Sequence, residues 1–144
     1  MVVGEVAIQR NFHVAVGRDK AWQRLAEVER WPEWAPHIIS VEVSPRGPLG
    51  PSSSGSLHIR KFGRNKFHMS TWDPMNHWEW RGGLPGVRIN YDHQFKALSD
   101  NSTQMTWVVT IRGSLAWLIR PIFRRNYGRA VDLAIPRLKE WIRA

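Results

Sequence analysis

The sequence contains no cysteine and no long run of apolar residues. The lack of cysteine excludes disulfide bonds, thiolate metal sites and a cysteine nucleophile. No apolar run approaches the ~18 residues that a membrane-spanning helix needs, and the N-terminal segment MVVGEVAIQR lacks the apolar core of a signal peptide. We therefore expect a soluble, cytoplasmic protein.

Acidic residues are also scarce, because 12 Asp and Glu stand against 21 Lys and Arg and leave a formal net charge of +9. Such a charge favours a polyanion or an anionic membrane surface as a partner, although a solvated basic helix face would produce the same pattern. The sequence has no arginine-glycine repeat and no zinc-finger motif, so nucleic-acid binding is not predicted. The basic residues are densest near the C-terminus, at Arg120, Arg124, Arg125, Arg129, Arg137, Lys139 and Arg143.

The chain has 144 residues, which indicates a single domain over residues 1–144 with one hydrophobic core. Nine tryptophans are many for this length, and so much aromatic surface belongs in a core, in a cavity wall or at an interface. Trp72 is predicted to face away from the other inward residues, where it would mark either a dimer contact or packing at a sheet edge. The sequence leaves a monomer and a homodimer open.

The clearest periodic pattern lies in the C-terminal segment from Pro121 to Ala144. Its apolar residues recur at steps of three and four, and Ile122 and Val131 widen the stripe, which predicts an amphipathic helix roughly 35 Å long. Gly128 and Pro136 are odd choices for a helix that only seals a core, because glycine costs about 1 kcal/mol relative to alanine and proline removes a backbone donor. The apolar stripe comprises Phe123, Tyr127, Ala130, Ala134, Leu138 and Trp141.

Most of the chain before this helix alternates between apolar and polar residues, which indicates antiparallel strands. The first strand is followed by a short helix with Asp19 as its N-cap and by a second helical turn over residues 31–36. Residues 45–56 form a turn-rich loop with three prolines and three glycines. The predicted strands cover residues 5–15, 38–44, 57–62, 66–72, 77–81, 87–98 and 103–112.

The hairpin between the third and fourth strands has two alternative registers. A three-residue loop over residues 63–65, which the pattern favours, places Leu57 and Ile59 on the same side as Phe67. A two-residue turn would instead place His58 on that side. Because a slip of one residue moves every side chain to the other face, the two registers bury different residues.

Three short motifs accompany this order of elements: Trp31-Pro32-Glu33-Trp34-x-Pro36-His37, Trp80-Arg81-Gly82-x-Leu84-Pro85-Gly86 and Asp92-His93-Gln94-Phe95. Together they resemble the polyketide cyclase/dehydrase and lipid-transport group of the START-like (SRPBCC, Bet v 1-type) superfamily, over nearly the whole chain. The resemblance implies an α+β helix-grip fold, in which a curved seven-stranded antiparallel sheet wraps around a long C-terminal helix and two short helices separate strands 1 and 2. It also implies an elongated, largely apolar cavity between sheet and helix, but no particular reaction.

The inward strand positions are where a ligand in such a cavity would lie. They suit an apolar or planar aromatic molecule, because tryptophan offers stacking area and methionine adapts its shape. Gly128 keeps the middle of the terminal helix slim, which places the predicted cavity there, with Trp31, Trp34 and the 45–56 loop near its entrance. The predicted ligand-binding residues are Phe67, Met69, Trp78, Trp80, Tyr91, His93, Phe95, Met105, Trp107, Tyr127, Val131 and Ala134.

His93 is the sharpest candidate for chemistry, since a neutral imidazole beside a cavity could orient a ligand or act as a general acid or base. Tyr91 lies two positions away on the same face and could donate a hydrogen bond to a carbonyl oxygen. A buried structural histidine is the alternative, and no inward carboxylate is evident as a partner. The six histidines show no metal-ligand spacing, so neither a metal site nor a cofactor is predicted.

The sequence therefore predicts that the protein binds or transports a hydrophobic or aromatic small molecule such as a lipid, a quinone or a polyketide. The first alternative is a polyketide cyclase or dehydratase that uses His93 and Tyr91. The second is an interaction protein that uses its basic surface on a ribosome or an anionic membrane.

Overall fold

A computed structural model of the chain describes residues 5–144. Seven strands form one antiparallel sheet in the order β1-β7-β6-β5-β4-β3-β2, and a long helix follows the last strand, as predicted for a helix-grip fold. The elements are β1 (Val6–Val14), α1 (Arg18–Ala26), a 3-10 helix (Val28–Glu33), β2 (Ile38–Ser44), β3 (Ser54–Ile59), β4 (Gly63–Asp73), β5 (His77–Leu84), β6 (Val87–Ser99), β7 (Ser102–Arg112) and α2 (Ala116–Trp141).

The apolar side chains of the sheet form two clusters of buried residues. The larger cluster joins the sheet to α1, the 3-10 helix and the C-terminal half of α2. The smaller one lies under the N-terminal half of α2 and includes Ile111 and Phe123. Tyr91 of β6 and Tyr127 of α2 pack against both clusters, so the two clusters meet at these two tyrosines.

Helix α2 begins at Ala116 rather than at Pro121, and both Pro121 and Pro136 lie inside it. Residues 116–120, before the predicted start, include Trp117 and Leu118, which face solvent, so the amphipathic period does not reveal this first part of the helix. Ile122, which the pattern assigned to the buried stripe, is 54% exposed. Within residues 5–144, no helix combines the length and the hydropathy that a membrane crossing requires.

The helical segments between β1 and β2 differ from the prediction in their ends. Gly17, and not Asp19, is the N-cap of α1, and Asp19 lies in the first turn, where its negative charge interacts favourably with the helix dipole. The second segment is a 3-10 helix over Val28–Glu33, so Pro32 lies near its end rather than at its start. Leu49, in the loop before β3, is buried and donates its N–H to the carbonyl of Ala26 at 3.0 Å, which ties that loop to the end of α1.

The turn between β3 and β4 lies earlier along the chain than either predicted register. Ile59 pairs with Gly63, so residues 60–62 form the turn, and Lys61 has a positive φ of 74°. Both predicted pairings are therefore wrong. The pairing of β3 with β4 differs from the favoured register by an even number of residues, so each side chain stays on its predicted face. The favoured register therefore identified the correct buried face, which carries Leu57, Ile59 and Phe67.

A β-bulge in β4 reverses the predicted orientation of Trp72. The pairing of β4 with β5 shifts between Met69 and Thr71, and beyond the shift Trp72 pairs with Trp78. The extra residue turns the Trp72 side chain inward, where it meets Trp22 of α1 edge to face with ring centroids 5.1 Å apart. Trp72 is therefore part of the packed interior, and the expectation that it faces outward was wrong.

Candidate functional site

Two small cavities lie between the sheet and the middle of α2. Their volumes are about 40 Å³ and about 30 Å³. A single water molecule needs at least ~10–15 Å³, whereas sites for small organic molecules measure roughly 300–1,000 Å³. Binding of anything larger than a few water molecules therefore requires the surrounding side chains to move. Both cavities are lined by the same four aromatic residues, Trp31, Tyr91, His93 and Tyr127.

Each cavity has a wall of its own beyond these shared residues. The larger cavity lies toward β1 and β7, and the smaller one lies under β3, β4 and β5. The larger cavity is completed by Ile8, Trp34, His37, Ile38, Asp92, Trp107, Val109 and Val131. The apolar part of the smaller one is completed by Leu57, Ile59, Phe67 and Trp80.

The structure brings only part of the predicted ligand-binding set to these cavities. The residues that line them are Phe67, Trp80, Tyr91, His93, Trp107, Tyr127 and Val131. Five others line neither cavity, because α1 fills that end of the groove: its Trp22 lies 5.0 Å from Trp78 and 5.0 Å from Phe95, measured between ring centroids. These five are Met69, Trp78, Phe95, Met105 and Ala134.

Trp31 and Trp34, which we expected near an entrance, are buried and form part of the cavity wall. The indole N–H of Trp31 donates a hydrogen bond to the carbonyl of Leu25 at 2.8 Å, which fixes this ring under the end of α1. Sequence reasoning did not assign a role to His37, whose ring centroid lies 5.5 Å from that of Tyr127. Its position as the last residue of the tryptophan-proline motif was the available signal.

Several buried ring nitrogens around the cavities have no hydrogen-bond partner within the described part of the chain. They are Nε1 of Trp34 and of Trp107, Nδ1 of His37 and of His93, and Nε1 of Trp80. Buried polar groups in proteins are usually paired, and an unpaired one costs about 1–3 kcal/mol. Oxygen acceptors placed between the sheet and α2 would pair with the indole donors and remove that cost.

The four titratable rings that line the cavities, those of His37, Tyr91, His93 and Tyr127, are held in their uncharged forms. Burial lowers the pKa of His93 to about 3, although a hydrogen bond with the Trp78 backbone opposes this effect, and burial lowers the pKa of His37 to about 4. Burial raises the pKa of Tyr127 to about 12, and burial together with the neighbouring Tyr127 raises the pKa of Tyr91 well above its usual range. The aromatic part of the cavity wall is therefore polar but uncharged at neutral pH, while Asp92 and Lys66 lie at the edges of the lining.

Gly128 does not serve the cavity in the way that the sequence suggested. A Cβ atom at this position would lie 3.3 Å from Nη2 of Arg10, and the Arg10 guanidinium pairs with Asp132 on the next turn at 2.7 Å. The narrow part of α2 at Gly128 therefore faces an arginine of β1, which is a different contact from the one that the sequence predicted. Both cavities nevertheless lie at the middle of α2, beside Tyr127.

A separate polar cluster lies on the outer face of the sheet. His77, Glu79 and Asp92 each place one potential metal-ligand atom within 4.8 Å of the others. Nδ1 of His77 lies 3.0 Å from Oδ1 of Asp92, and the Gln94 amide donates to Oδ2 of Asp92 at 2.7 Å. The sequence did not predict this group, because Asp92 is paired with Glu79 across two strands and the spacing along the chain is long.

The fold is similar to solved structures of other proteins. The chain matches Zhui aromatase/cyclase from Streptomyces sp. R1128 with a TM-score of 0.72 and 17% identity, over 94% of this chain and 92% of that chain. It matches norcoclaurine synthase from Thalictrum flavum, in complex with dopamine and hydroxybenzaldehyde, with a TM-score of 0.69 and 11% identity over 94% and 84%. A START superfamily protein from Mycobacterium smegmatis has a TM-score of 0.67 and 13% identity over 94% and 96%.

At these levels of identity the likeness concerns the fold alone. No curated protein sequence is significantly similar to the chain. The sequence profile described as polyketide cyclase / dehydrase and lipid transport matches residues 5–142, and the helix-grip architecture agrees with it. The chain therefore belongs to the polyketide cyclase / dehydrase and lipid transport family.

Proposed function

We propose that the chain is a cytoplasmic protein that binds or transports a hydrophobic or aromatic small molecule between the sheet and α2. The observation that carries the proposal is the set of buried ring nitrogens without partners around the two cavities. The apolar walls favour a hydrophobic molecule, and the indole donors favour one that carries oxygen acceptors. Membership of the polyketide cyclase / dehydrase and lipid transport family supports a ligand of this class.

Among lipids, quinones and polyketide-like molecules, the site favours the last two. An acyl chain offers no acceptor along its length, so it would leave the indole N–H groups of Trp34, Trp80 and Trp107 unpaired. A flat ring with carbonyl or phenol oxygens would stack on the aromatic walls and accept these hydrogen bonds. The fold of norcoclaurine synthase, in complex with dopamine and hydroxybenzaldehyde, supports this preference.

Access requires one part of the wall to move, and we propose that the β3–β4 turn does so. Phe62 of this turn is partly exposed, and its ring centroid lies 6.3 Å from that of Phe123 and 6.3 Å from that of Tyr127. Tyr127 lines both cavities. Displacement of Phe62 would therefore uncover the residue that the two cavities share.

Catalysis by a cyclase or dehydratase mechanism stays the alternative, with His93 and Tyr91 as its groups. A general base works best when its pKa lies near the working pH, and the pKa of His93 is lowered to about 3 by burial. Tyr91, whose pKa is raised well above its usual range, can donate a hydrogen bond but gives up its proton reluctantly. These shifts support binding over acid-base chemistry.

The experiment that tests the proposal compares two ligands of the same shape, 1,4-naphthoquinone and naphthalene, by equilibrium dialysis. We expect the quinone to bind at least about fivefold more tightly, because two carbonyl oxygens accept hydrogen bonds worth about 0.5–1.5 kcal/mol each. Equal affinity would mean that the unpaired nitrogens play no part in binding. If neither compound binds, the proposal is wrong.

A matched pair of variants on α2 locates the binding site. Val131→Phe adds volume to a buried residue of the larger cavity and should weaken naphthoquinone binding by about tenfold or more. Leu133→Phe makes a similar change on the exposed side of the same helix and should leave the affinity unchanged. Loss of binding in both variants, or in neither, would place the ligand elsewhere.

Uptake or release of a hydrophobic molecule also needs a second surface, and we propose an anionic membrane as the partner of the basic residues. Attraction to anionic lipids is worth about 1 kcal/mol per Lys or Arg near the surface. A ribosome is the alternative partner for the same charges. Binding of single-stranded RNA would need several exposed aromatic side chains beside the arginines.

A further inference from the structure

One end of the molecule exposes an unusual amount of apolar surface. Leu84, at the tip of the β5–β6 hairpin, is 70% exposed, and Trp117, in the first turn of α2, is 69% exposed. Three further residues are about half exposed in the same region. We refer to these five residues as the apolar end: Leu84, Leu115, Trp117, Leu118 and Ile122.

The hairpin tip and the start of α2 form one continuous surface. The backbone N–H of Leu115 donates a hydrogen bond to the carbonyl of Gly86 at 3.0 Å. A Cβ atom on Gly86 would lie 3.1 Å from Cδ1 of Leu115, so the hairpin and the helix are in direct contact. Gly86 has a φ of 81°, a conformation that suits glycine and that directs the turn toward the helix.

Arginines surround the apolar end on both sides. On the outer face of the sheet, Arg88 is paired directly with Arg112, and both line a groove of about 380 Å³ together with Arg81. Like charges placed opposite each other in a sheet are unfavourable unless a counter-charge is near. On α2, Arg125 is exposed and lies two turns after Leu118, on the same side of the helix.

Few carboxylates offset this charge. Among residues 5–144, no ion pair joins Arg81, Arg88 or Arg125 to an acidic side chain. Arg112 pairs with Glu5, and Glu79 in the groove accepts a hydrogen bond from Asn90. The apolar end is therefore bordered by a net excess of positive charge.

We propose that the apolar end docks on an anionic lipid membrane, with Leu84, Trp117 and Leu118 among the lipid headgroups and the surrounding arginines on the lipid phosphates. Tryptophan, leucine and arginine are the residues that bind membrane interfaces, because an apolar body enters the headgroup region while the charges stay at its surface. A second copy of the chain fits this face poorly, since a two-fold contact would bring arginines against arginines.

This inference deepens the proposed membrane contact, and it names a face at the N-terminal end of α2 rather than the basic residues of the whole helix. Its test needs no cavity ligand. Ligand binding is measured without vesicles and membrane binding without naphthoquinone, so the failure of one proposal is distinguishable from the failure of the other.

The experiment is vesicle flotation of the full chain with phosphatidylcholine vesicles and with vesicles that contain about 30% phosphatidylglycerol. We expect binding to the anionic vesicles only, and we expect it to be weakened strongly by about 0.5 M salt, which shortens the screening length. Equal binding to neutral vesicles, binding that salt leaves unchanged, or no binding to anionic vesicles would overturn the proposal.

Two matched pairs of variants separate the docking face from the net charge of the protein. Arg88→Glu should weaken flotation by about tenfold or more, whereas Arg137→Glu, an equal change of charge on an exposed residue near the other end of α2, should have a much smaller effect. Leu118→Ser should weaken binding, whereas Leu133→Ser, also exposed on α2, should not.

All four positions are exposed, so these variants are expected to fold, and thermal unfolding checks this. Equal loss in Arg88→Glu and Arg137→Glu would show a general charge effect and overturn the assigned face. If Leu118→Ser converts a dimer into a monomer without changing flotation, the apolar end is an interface between copies. If the anionic partner bound through Arg88 is RNA and not vesicles, the membrane proposal is likewise wrong.

Discussion

The imidazole of His93 stacks on the indole of Trp78, its paired residue across β5 and β6, with ring centroids 4.9 Å apart and ring planes 28° apart. Trp80 meets the same imidazole edge to face at 5.0 Å. This aromatic enclosure removes the ring from water, which is why burial lowers the pKa of His93 to about 3. His93 therefore stays uncharged in the folded protein even in mild acid.

Acid should consequently destabilise the protein through its buried histidines. The pKa of His93 falls from 6.5 to about 3 on folding, so the unfolded chain takes up a proton below pH 6.5 while the folded chain does not. Stability is thus lost as the pH falls below 6.5. Between pH 7 and pH 5 the loss from this group is about 2 kcal/mol, since one pKa unit corresponds to about 1.4 kcal/mol. Denaturant unfolding at several pH values measures it.

His93→Leu should remove this contribution, so that the free energy of unfolding varies less between pH 7 and pH 5 than in the wild-type chain. His37, whose pKa burial lowers to about 4, should supply a second contribution in the same direction. His13→Gln, on the exposed side of β1, is the control and should leave the pH dependence as it is. An unchanged pH dependence in His93→Leu would show that folding does not lower the pKa of His93, which would contradict its enclosure by the tryptophans.

Trp72 provides a test of its inward orientation. Trp72→Ala should lower the free energy of unfolding by about 2–3 kcal/mol, because it removes a large, partly buried side chain that packs on Trp22 and Trp78. Its elution volume in size-exclusion chromatography should not change. Trp117→Ala, at an exposed position, is the matched control and should change the stability by less than about 0.5 kcal/mol. A change of oligomeric state in Trp72→Ala without loss of stability would contradict the structure.

The case of Trp72 also shows where the sequence could and could not predict the fold. Periodicity revealed the terminal helix and all seven strands, because a half-buried strand must alternate and a half-buried helix must repeat at steps of three and four. It did not reveal the bulge at residues 69–71 or the turn at residues 60–62. Those features depend on pairing between strands, and alternation within one strand carries no information about its partner.

The candidate site was predicted only in part for a related reason. Alternation along β6 correctly placed Tyr91 and His93 inward. It could not tell a cavity wall from a packed core, since both are apolar and inward. Trp22 makes the difference, because this side chain of α1 fills the space in front of Trp78 and Phe95. Only the three-dimensional placement of α1 separates the two groups.

The outer face of the sheet carries a second pH-dependent group. Burial, with the nearby Glu79 as a smaller cause, raises the pKa of Asp92, even though His77 and Gln94 hydrogen-bond to its carboxylate. A carboxyl group whose pKa rises on folding stabilises the folded state while protonated, and this stability is lost as the pH rises through the folded pKa. Ionised Asp92 is thus unfavourable at neutral pH.

Asp92→Asn should therefore raise the free energy of unfolding at pH 7, by about 0.5–1 kcal/mol, since it removes a like charge opposite Glu79 and keeps polar atoms for Gln94. The difference from the wild type should shrink as the pH falls toward 3.8, the ordinary pKa of aspartate. Asp100→Asn, in the exposed β6–β7 turn, is the control. A loss of stability in Asp92→Asn at pH 7 would show that the carboxylate charge is needed, as it would be for a bound cation at His77, Glu79 and Asp92.

Gly128→Ala tests whether the glycine of α2 makes room for Arg10 or for a bound ligand. Alanine in place of a helical glycine contributes about 1 kcal/mol, and the added Cβ meets only the end of the Arg10 side chain, which can shift by a few tenths of an ångström. We therefore expect the free energy of unfolding to rise by about 0.5–1 kcal/mol and naphthoquinone affinity to stay unchanged. In the Arg10→Ala variant the side chain that would crowd the new Cβ atom is absent. Gly128→Ala should therefore raise the free energy of unfolding of that variant by at least as much as it does in the wild-type chain. Lost affinity without lost stability would instead mean that the glycine makes room for the ligand, and that the neighbouring arginine only covers it.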